Sequence, residues 1–222
     1  MLSTKKLLST MVATAALLLG TATTATADEP ICEIDRVINF GGMSWESNLI
    51  VADTQRFILE NGYGCQTEIL PTETLTALTA LERGDLDVNS EIWLNSLGTL
   101  WDDVLARGQV IKSGDLYVGY EAWFIPKYTQ ERFPELKAAS DLAKYKDEFQ
   151  DPEEPNKGRF YGCPAGWNCE VVSLNIFKAL GLDKSFTHYQ PGSAAAQKAA
   201  IISDYRRQKN IAFYYWHPTP LV

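Results

Sequence analysis

The sequence predicts an α/β protein with two lobes. Residues 34–93 and 159–216 each alternate short apolar runs, typical of buried strands, with helical runs that end near a glycine. Strands and helices that alternate through short connections are typical of parallel α/β units. Extended sequence and a polar, proline-rich stretch separate the two segments, so we predict that the chain crosses between lobes near residues 110–125.

The first segment predicts strands and helices in strict alternation. Strands are expected where apolar residues run together, and helices where they recur every three or four positions. Gly62 and Gly84 follow two helical runs and are expected to end them. The predicted elements are a strand at 34–40, a helix at 47–61, a strand at 65–70, a helix capped by Thr72 or Thr74, a strand at 86–93 and a helix at 97–107.

The second segment follows the same alternation after the crossing. Extended sequence is expected at 110–111 and 117–125, and the polar stretch from 127 to 156 is expected to hold short helices near 140–149. Gly181 is expected to end one later helix. The remaining predicted elements are a strand at 159–161, a helix at 170–180, an extended run at 186–189, a helix at 193–208 and a strand at 211–216.

The first 27 residues have the composition of a secretory signal peptide. Two lysines precede an apolar run from 7 to 20, and small residues lead to an A-x-A sequence at 25–27. A basic start, a short apolar middle and such an exit are the features by which signal peptides are recognised. We therefore predict cleavage before Asp28 and export of the mature protein.

Composition and charge exclude several classes of protein. Of the 222 residues, 45% are apolar and 22% charged, which excludes a disordered or low-complexity chain. The formal charge is −8 at pH 7, which argues against sequence-independent binding to nucleic acid or to an anionic membrane. We expect no nucleic acid among the partners of this protein.

All four cysteines lie in the part of the chain that is predicted to be exported. An even number of cysteines in an oxidising compartment is typical of disulfides, and four cysteines allow three pairings. The short separation favours a bond between Cys163 and Cys169, which leaves Cys32 with Cys65. Cys32 and Cys65 also fall at the starts of two predicted strands, which adjacent parallel strands would bring together.

Four of the six tryptophans fall where a parallel α/β fold places its ligands. Trp45 follows the first predicted strand and Trp93 ends the third, while Trp167 precedes a predicted helix and Trp216 ends the last strand. Ligands bind beyond the carboxyl ends of the strands in open α/β sheets. The pattern predicts a shared aromatic site, with packing in the core as the alternative for each single tryptophan.

The loop between Cys163 and Cys169 indicates a site for an anionic group. A disulfide there would fix a turn that contains glycine and proline directly before a helix. The backbone amides of Asn168, Cys169 and Glu170 would then lie at the helix N-terminus, where anions bind favourably. With Trp167 beside them, the loop suits a zwitterion that has a diffuse cation and a carboxylate. The alternative is a structural disulfide next to a packing tryptophan.

Two segments resemble the periplasmic substrate-binding proteins of glycine betaine/proline betaine ABC importers. They are CPAGWNCE at 163–170 and FYYWHP at 213–218, and the resemblance extends from about Asp35 to Pro218. It implies a two-lobed periplasmic binding protein whose lobes close about a hinge. Glycine betaine or a related osmolyte such as proline betaine is then the expected ligand, with choline or another methylated amine as the alternative, and the permease subunits of an importer are the expected partners. Neither a cofactor nor catalysis is expected.

The resemblance also implies roles for particular residues. Trp93, Trp167 and Trp216 match the tryptophans whose faces hold the trimethylammonium group. The backbone amides of Asn168 and Cys169 match those that hold the ligand carboxylate. Aromatic faces suit such a head because a quaternary ammonium has no N–H to donate and its charge is spread over methyl groups.

The predicted domain organisation is a signal peptide at 1–27, a first lobe at 28–115, and the hinge crossing with the second lobe at 116–222. Members of the family continue beyond the strand that carries Trp216 and return to the first lobe. This sequence ends at Val222. We therefore expect the C-terminal return to be missing and the first lobe to be incomplete.

Two departures from the family pattern leave the exact ligand open. Some members have a carboxylate-binding histidine four residues after the tryptophan matched by Trp93, where this sequence has Leu97, and Asn95 is the nearest polar candidate. Glu46 directly follows Trp45 and could face a cation or an alcohol, as an acidic side chain does in related choline-binding proteins. The alternative is that Glu46 only stabilises the start of a helix.

An enzyme and a sensory module are the alternative classes of function. The sequence contains no G-x-S-x-G, H-E-x-x-H, P-loop or dinucleotide-binding glycine motif. His217 adjoins Trp216 and could line the site, but no nucleophile is identifiable beside it. The cysteines are better used in disulfides, so no metal site is expected. A sensory module that presents the same ligand to a receptor would share the fold.

Overall fold

The computed structural model describes residues 32–222. The predicted signal peptide at 1–27 and its cleavage before Asp28 lie outside the described residues. Within the described part, the chain folds around two β-sheets. None of the helices in this described part is both long and apolar enough to cross a bilayer.

The first sheet has three parallel strands in the order β2-β1-β3. Helix α1 passes through Gly62, the predicted end, and stops at Tyr63, because Gly64 takes the left-handed conformation at φ 66°. Gly84 ends α2 in the same way, as predicted. The elements of this part are β1 (Ile38–Gly42), α1 (Glu46–Tyr63), β2 (Thr67–Pro71), α2 (Thr74–Arg83), β3 (Val88–Asn89), α3 (Leu94–Leu97) and α4 (Thr99–Ala106).

The second sheet has four strands in the order β4-β7-β5-β6. Strands β5, β6 and β7 run parallel, whereas β4 is antiparallel to β7. Short 3₁₀ turns cover 139–149 and 182–184. The other elements are β4 (Tyr120–Phe124), α5 (Lys127–Arg132), β5 (Gly158–Tyr161), α6 (Asn168–Ala179), β6 (Phe186–Tyr189), α7 (Ala194–Arg206) and β7 (Ala212–His217).

Both predicted disulfides are present, and Cys32–Cys65 ties the start of β2 to the segment that leads into β1. Cys65 is buried in a small apolar cluster with Ile38, Phe40 and Ala52. The bond therefore closes the outer end of the first sheet. It joins residues that are 33 positions apart in the chain, whereas Cys163–Cys169 spans only six.

Several predicted elements differ in extent from the observed ones. The strand predicted at 86–93 is confined to Val88–Asn89, because the chain then leaves the sheet and buries Glu91. The helix predicted at 97–107 is two helices, since Gly98 separates α3 from α4 with φ 53° and ψ −134°. The extended run at 110–111 pairs with no strand, and that at 117–125 is a strand only over Tyr120–Phe124.

The main hydrophobic core joins the two sheets. Met43, Trp45 and Leu86 come from the first part of the chain, and they belong to the same buried cluster as Phe160, Trp167 and Trp216 from the second part. The tryptophans that follow the strands therefore occupy the junction itself. Any separation of the two parts exposes this apolar surface.

The two disulfides should differ in their contribution to stability. Loop-closure entropy predicts that Cys32→Ser with Cys65→Ser lowers the free energy of unfolding by about 3–4 kcal/mol, and that Cys163→Ser with Cys169→Ser lowers it by about 2 kcal/mol. Urea unfolding of both double variants measures the difference. A larger loss from the Cys163–Cys169 pair would contradict this ranking.

Candidate functional site

Four tryptophans from four separate elements meet at one cavity between the sheets. Trp45, Trp93 and Trp167 each occupy the residue immediately before a helix, with extended backbone angles, and Trp216 lies near the end of β7. The ring centroids of Trp45 and Trp167 are 4.9 Å apart, and those of Trp167 and Trp216 are 5.2 Å apart. The rings meet edge to face, a favourable arrangement for aromatic pairs.

The cavity is lined mainly by these rings and a few polar groups. Its free volume is about 20 Å³, room for about one water. A ligand of about eight heavy atoms therefore requires the rings to move apart. The lining residues are Trp45, Thr74, Trp93, Ser96, Glu121, Trp167, Asn168, Cys169, Tyr214 and Trp216.

Glu91 fixes two of the rings. One of its carboxylate oxygens accepts hydrogen bonds from the Trp45 indole at 3.0 Å, from the Trp93 indole at 2.7 Å and from the Ser47 hydroxyl at 3.1 Å. The residue is only 6% exposed, and its second oxygen has no partner among the described residues. Burial of a carboxylate is costly unless it is hydrogen-bonded. The three donors therefore stabilise the buried carboxylate, and the carboxylate in turn fixes the orientation of both indoles.

The loop that carries Trp167 is fixed from three sides. The Cys163–Cys169 disulfide closes it, and the backbone N–H of Gly166 donates to the Glu170 carboxylate at 2.8 Å. Gly166 has φ 83°, and a Cβ there would lie 3.0 Å from the Cβ of Glu73, so this position requires glycine. The sequence therefore places the Trp167 ring and the start of α6 in one defined arrangement.

The start of α6 provides backbone donors at the cavity. Asn168 and Cys169 line the cavity as the first two residues of this 12-residue helix. Amides in the first turn have no acceptor within the helix, and the helix dipole adds partial positive charge there. This is the predicted seat for a carboxylate, and the amides can equally donate to a hydroxyl oxygen.

Glu121 places a carboxylate inside the aromatic cavity. It lies on β4 directly opposite Trp216 of β7, and the Tyr214 hydroxyl donates to it at 2.5 Å. Burial raises the pKa of Glu121 above its ordinary value, although the hydrogen bond from Tyr214 and the nearby Ser96 hydroxyl act in the opposite direction. Burial likewise raises the pKa of Glu73, which lies beside Ser44 and Trp167.

The structure places six of the predicted ligand-binding residues at the cavity and three elsewhere. Trp45, Trp93, Trp167, Trp216, Asn168 and Cys169 line it. The Glu46 carboxylate instead pairs with the Lys198 ammonium at 2.8 Å, and Asn95 donates to the Gly119 carbonyl at 3.0 Å. The His217 ring stacks on Tyr120 at 5.0 Å. None of these three residues lines the cavity.

The sequence does not predict the polar side chains of the site. Glu91 and Glu121 lie in segments that were expected to be ordinary strand, and Tyr214 lies two residues before Trp216. A spacing of two residues was the available signal, because it places both side chains of a strand on one face. Tyr214 follows this rule with Trp216. Glu91 leaves the sheet and reaches Trp93 by a hydrogen bond instead.

The two sheets and the aromatic cavity between them define an α/β solute-binding protein of two lobes. Residues 36–222 match the family described as the substrate binding domain of ABC-type glycine betaine transport systems. This match covers most of the chain, and the protein belongs to that family. The predicted resemblance is thereby confirmed.

Solved structures show the same fold at low sequence identity. The glycine betaine/L-proline-binding protein of Borrelia burgdorferi is 20% identical, with a TM-score of 0.65 over 83% of this chain and 64% of that one. A choline-binding protein of an ABC transporter, in complex with choline, is 19% identical, with a TM-score of 0.68 over 83% and 61%. A lactococcal OpuAC with glycine betaine is 17% identical, with a TM-score of 0.63 over 83% and 66%.

Glu91→Ala should destabilise the protein, because it leaves two partly or fully buried indole N–H groups without an acceptor. We expect a loss of about 3 kcal/mol in the free energy of unfolding, measured by urea titration. The exposed Glu68, changed to alanine, is the matched control and should cost less than about 0.5 kcal/mol. Equal losses in the two variants would show that the Glu91 hydrogen bonds do not support the fold.

The raised pKa of Glu121 predicts a specific pH dependence of stability. The folded state binds the proton more tightly than the unfolded state, so this residue opposes folding increasingly as the pH rises above the ordinary carboxyl value of 4.5. Glu121→Gln should therefore become more stable relative to the wild type between pH 4.5 and neutrality. Chemical unfolding at several pH values measures this, and a constant difference would contradict it.

Proposed function

We propose that this protein captures a quaternary ammonium solute such as glycine betaine, proline betaine or choline and delivers it to the permease subunits of an ABC importer. The observation that carries the proposal is the cavity shared by Trp45, Trp93, Trp167 and Trp216. The family supports the transport role, and the structures that share the fold include complexes with choline and glycine betaine.

The chemistry of the cavity suits a trimethylammonium head. Such a head carries no N–H, so hydrogen-bond acceptors give it little directional gain. Aromatic faces attract its diffuse charge and also cover its methyl groups. Trp45, Trp93 and Glu91 form one wall, because the carboxylate orients both indoles, while Trp167 and Trp216 form the facing wall.

Contacts with the aromatic rings alone do not account for a micromolar affinity. Each cation–π contact contributes about 0.5–2 kcal/mol, and a micromolar dissociation constant corresponds to about 8 kcal/mol. The amides of Asn168 and Cys169 supply further interactions with the polar end of the ligand, which are stronger when that end is charged. Removal of water as the lobes close around the ligand supplies the remainder.

The predicted signal peptide supports a periplasmic location for this activity, and the proposal includes no catalytic step. The chain spans 61–66% of the length of the three solved structures compared above. We propose that the described part supplies both walls of the binding site, because the lining residues come from both sheets.

Calorimetric titration of the oxidised protein tests the proposal. We expect saturable binding of at least one of glycine betaine and choline, and Trp167→Ala should weaken it by at least about tenfold through loss of one ring. Trp101→Phe is the matched control, because Trp101 packs in a separate cluster with Leu78 and Val104. A folded protein that binds neither ligand, or a Trp167→Ala variant with unchanged affinity, would overturn the proposal.

A further inference from the structure

The carboxylate of Glu121 lines the cavity itself, whereas that of Glu91 orients two of the rings from outside the lining. Glu121 and Trp216 are directly paired residues on antiparallel strands, so their side chains share one face of the sheet. One oxygen of Glu121 accepts the Tyr214 hydroxyl, and the other is buried without a hydrogen-bond partner among the described residues. A buried oxygen of this kind lacks the stabilisation that a cation or a donor would provide.

The charges around the cavity are unbalanced. None of the described residues that line it is lysine, arginine or histidine. The Lys198 ammonium is bound to Glu46, which does not line the cavity. Glu91 lies directly behind two of the rings and adds a second acidic group. Positive potential comes from the helix N-termini at the cavity, those of α6 and of α2, whose first residue Thr74 also lines it, and each contributes only a partial charge.

Ligands with a trimethylammonium head fall into two charge classes. Choline and similar amines carry a net charge of +1, whereas betaines are zwitterions that also carry a carboxylate. The amides of Asn168 and Cys169 can donate to the hydroxyl of the first class or to the carboxylate of the second. Glu121 distinguishes the classes, because it attracts the ammonium of either ligand but repels a carboxylate held in the same cavity.

We infer that Glu121 is a specificity-determining residue that makes the site prefer a quaternary ammonium cation of the choline type over a zwitterionic betaine. The inference rests on the proposed function and adds the charge class of the ligand. It requires that the unpartnered oxygen of Glu121 gains the ammonium group as its neighbour when the cavity widens. Tyr214 holds the other oxygen and so limits how far the carboxylate can turn.

The test compares two ligands and a neutral analogue in wild-type protein and in Glu121→Gln. The substitution keeps the shape of the side chain and an acceptor for Tyr214, and it removes the charge. We expect the dissociation constant of choline to rise about tenfold and that of glycine betaine to change less than about threefold. The neutral analogue 3,3-dimethyl-1-butanol, which has a tert-butyl head, should bind both proteins equally. Glu68→Gln is the matched control, because it removes an exposed charge from β2.

The outcomes separate this inference from the proposed function. If the protein binds either ligand but Glu121→Gln leaves the ratio of the two dissociation constants unchanged, Glu121 does not set specificity and the proposed function stands. If the folded wild type binds neither ligand, both proposals fail. If the Glu121→Gln variant does not fold, the wild-type protein still tests the inference. Tighter binding of choline than of glycine betaine supports it, and the reverse order overturns it.

Discussion

Trp45 and Trp93 follow two different strands of the first sheet, and both donate their indole N–H to the same buried oxygen of Glu91. Trp45 then packs against Trp167, and Trp167 packs against Trp216. The position of one carboxylate is thus transmitted through ring contacts to the other side of the cavity. The site depends on this anchor, because rings without fixed orientations would collapse together or pack in several ways.

The same ring contacts join the two parts of the molecule, so binding and closure involve the same surface. A ligand can enter only where ring–ring contacts give way, and each aromatic pair contributes about 0.5–1.5 kcal/mol. When the ligand binds, contacts between the rings and its cation replace ring–ring contacts of similar energy. This exchange alone therefore contributes little net free energy of binding. The polar groups at the edge of the cavity therefore carry much of the selectivity.

Those polar groups differ in how rigidly they are held. The amides at the start of α6 are fixed by the disulfide and by the Gly166–Glu170 hydrogen bond. Glu121 is held by one hydrogen bond and keeps one oxygen free. The rigid pair of amides and the partly free carboxylate can contact ligands of different length. The carboxylate still distinguishes these ligands by their charge.

Much of this arrangement is encoded locally and could be predicted from the sequence. The alternation of strands and helices was confirmed, as were both disulfides, because apolar periodicity and cysteine spacing are local signals. The meeting of four tryptophans followed from the rule that strand ends gather at one edge of a sheet. Trp167 was predicted most specifically, since its loop combines a disulfide, a glycine and a helix start.

The remaining features depend on contacts that are distant in the sequence. Glu91 is 46 residues from Trp45, and Glu121 is 93 residues from Tyr214. No local pattern distinguishes these acidic residues from exposed ones such as Glu68. Glu46 is the opposite case, because its position beside Trp45 suggested a role in the site. Its carboxylate instead forms an ion pair with Lys198, which is 152 residues away.

The most direct test of the central claim is to follow the six indole N–H resonances by NMR during titration with choline or glycine betaine. Trp45, Trp93, Trp167 and Trp216 should shift on binding, because they surround the ligand. Trp101 should not, since it packs in a separate cluster, and neither should Trp123, which packs on Phe160 and donates to Ser173. Shifts confined to Trp101 and Trp123, or no shift in the folded protein, would contradict an aromatic binding site at this cavity.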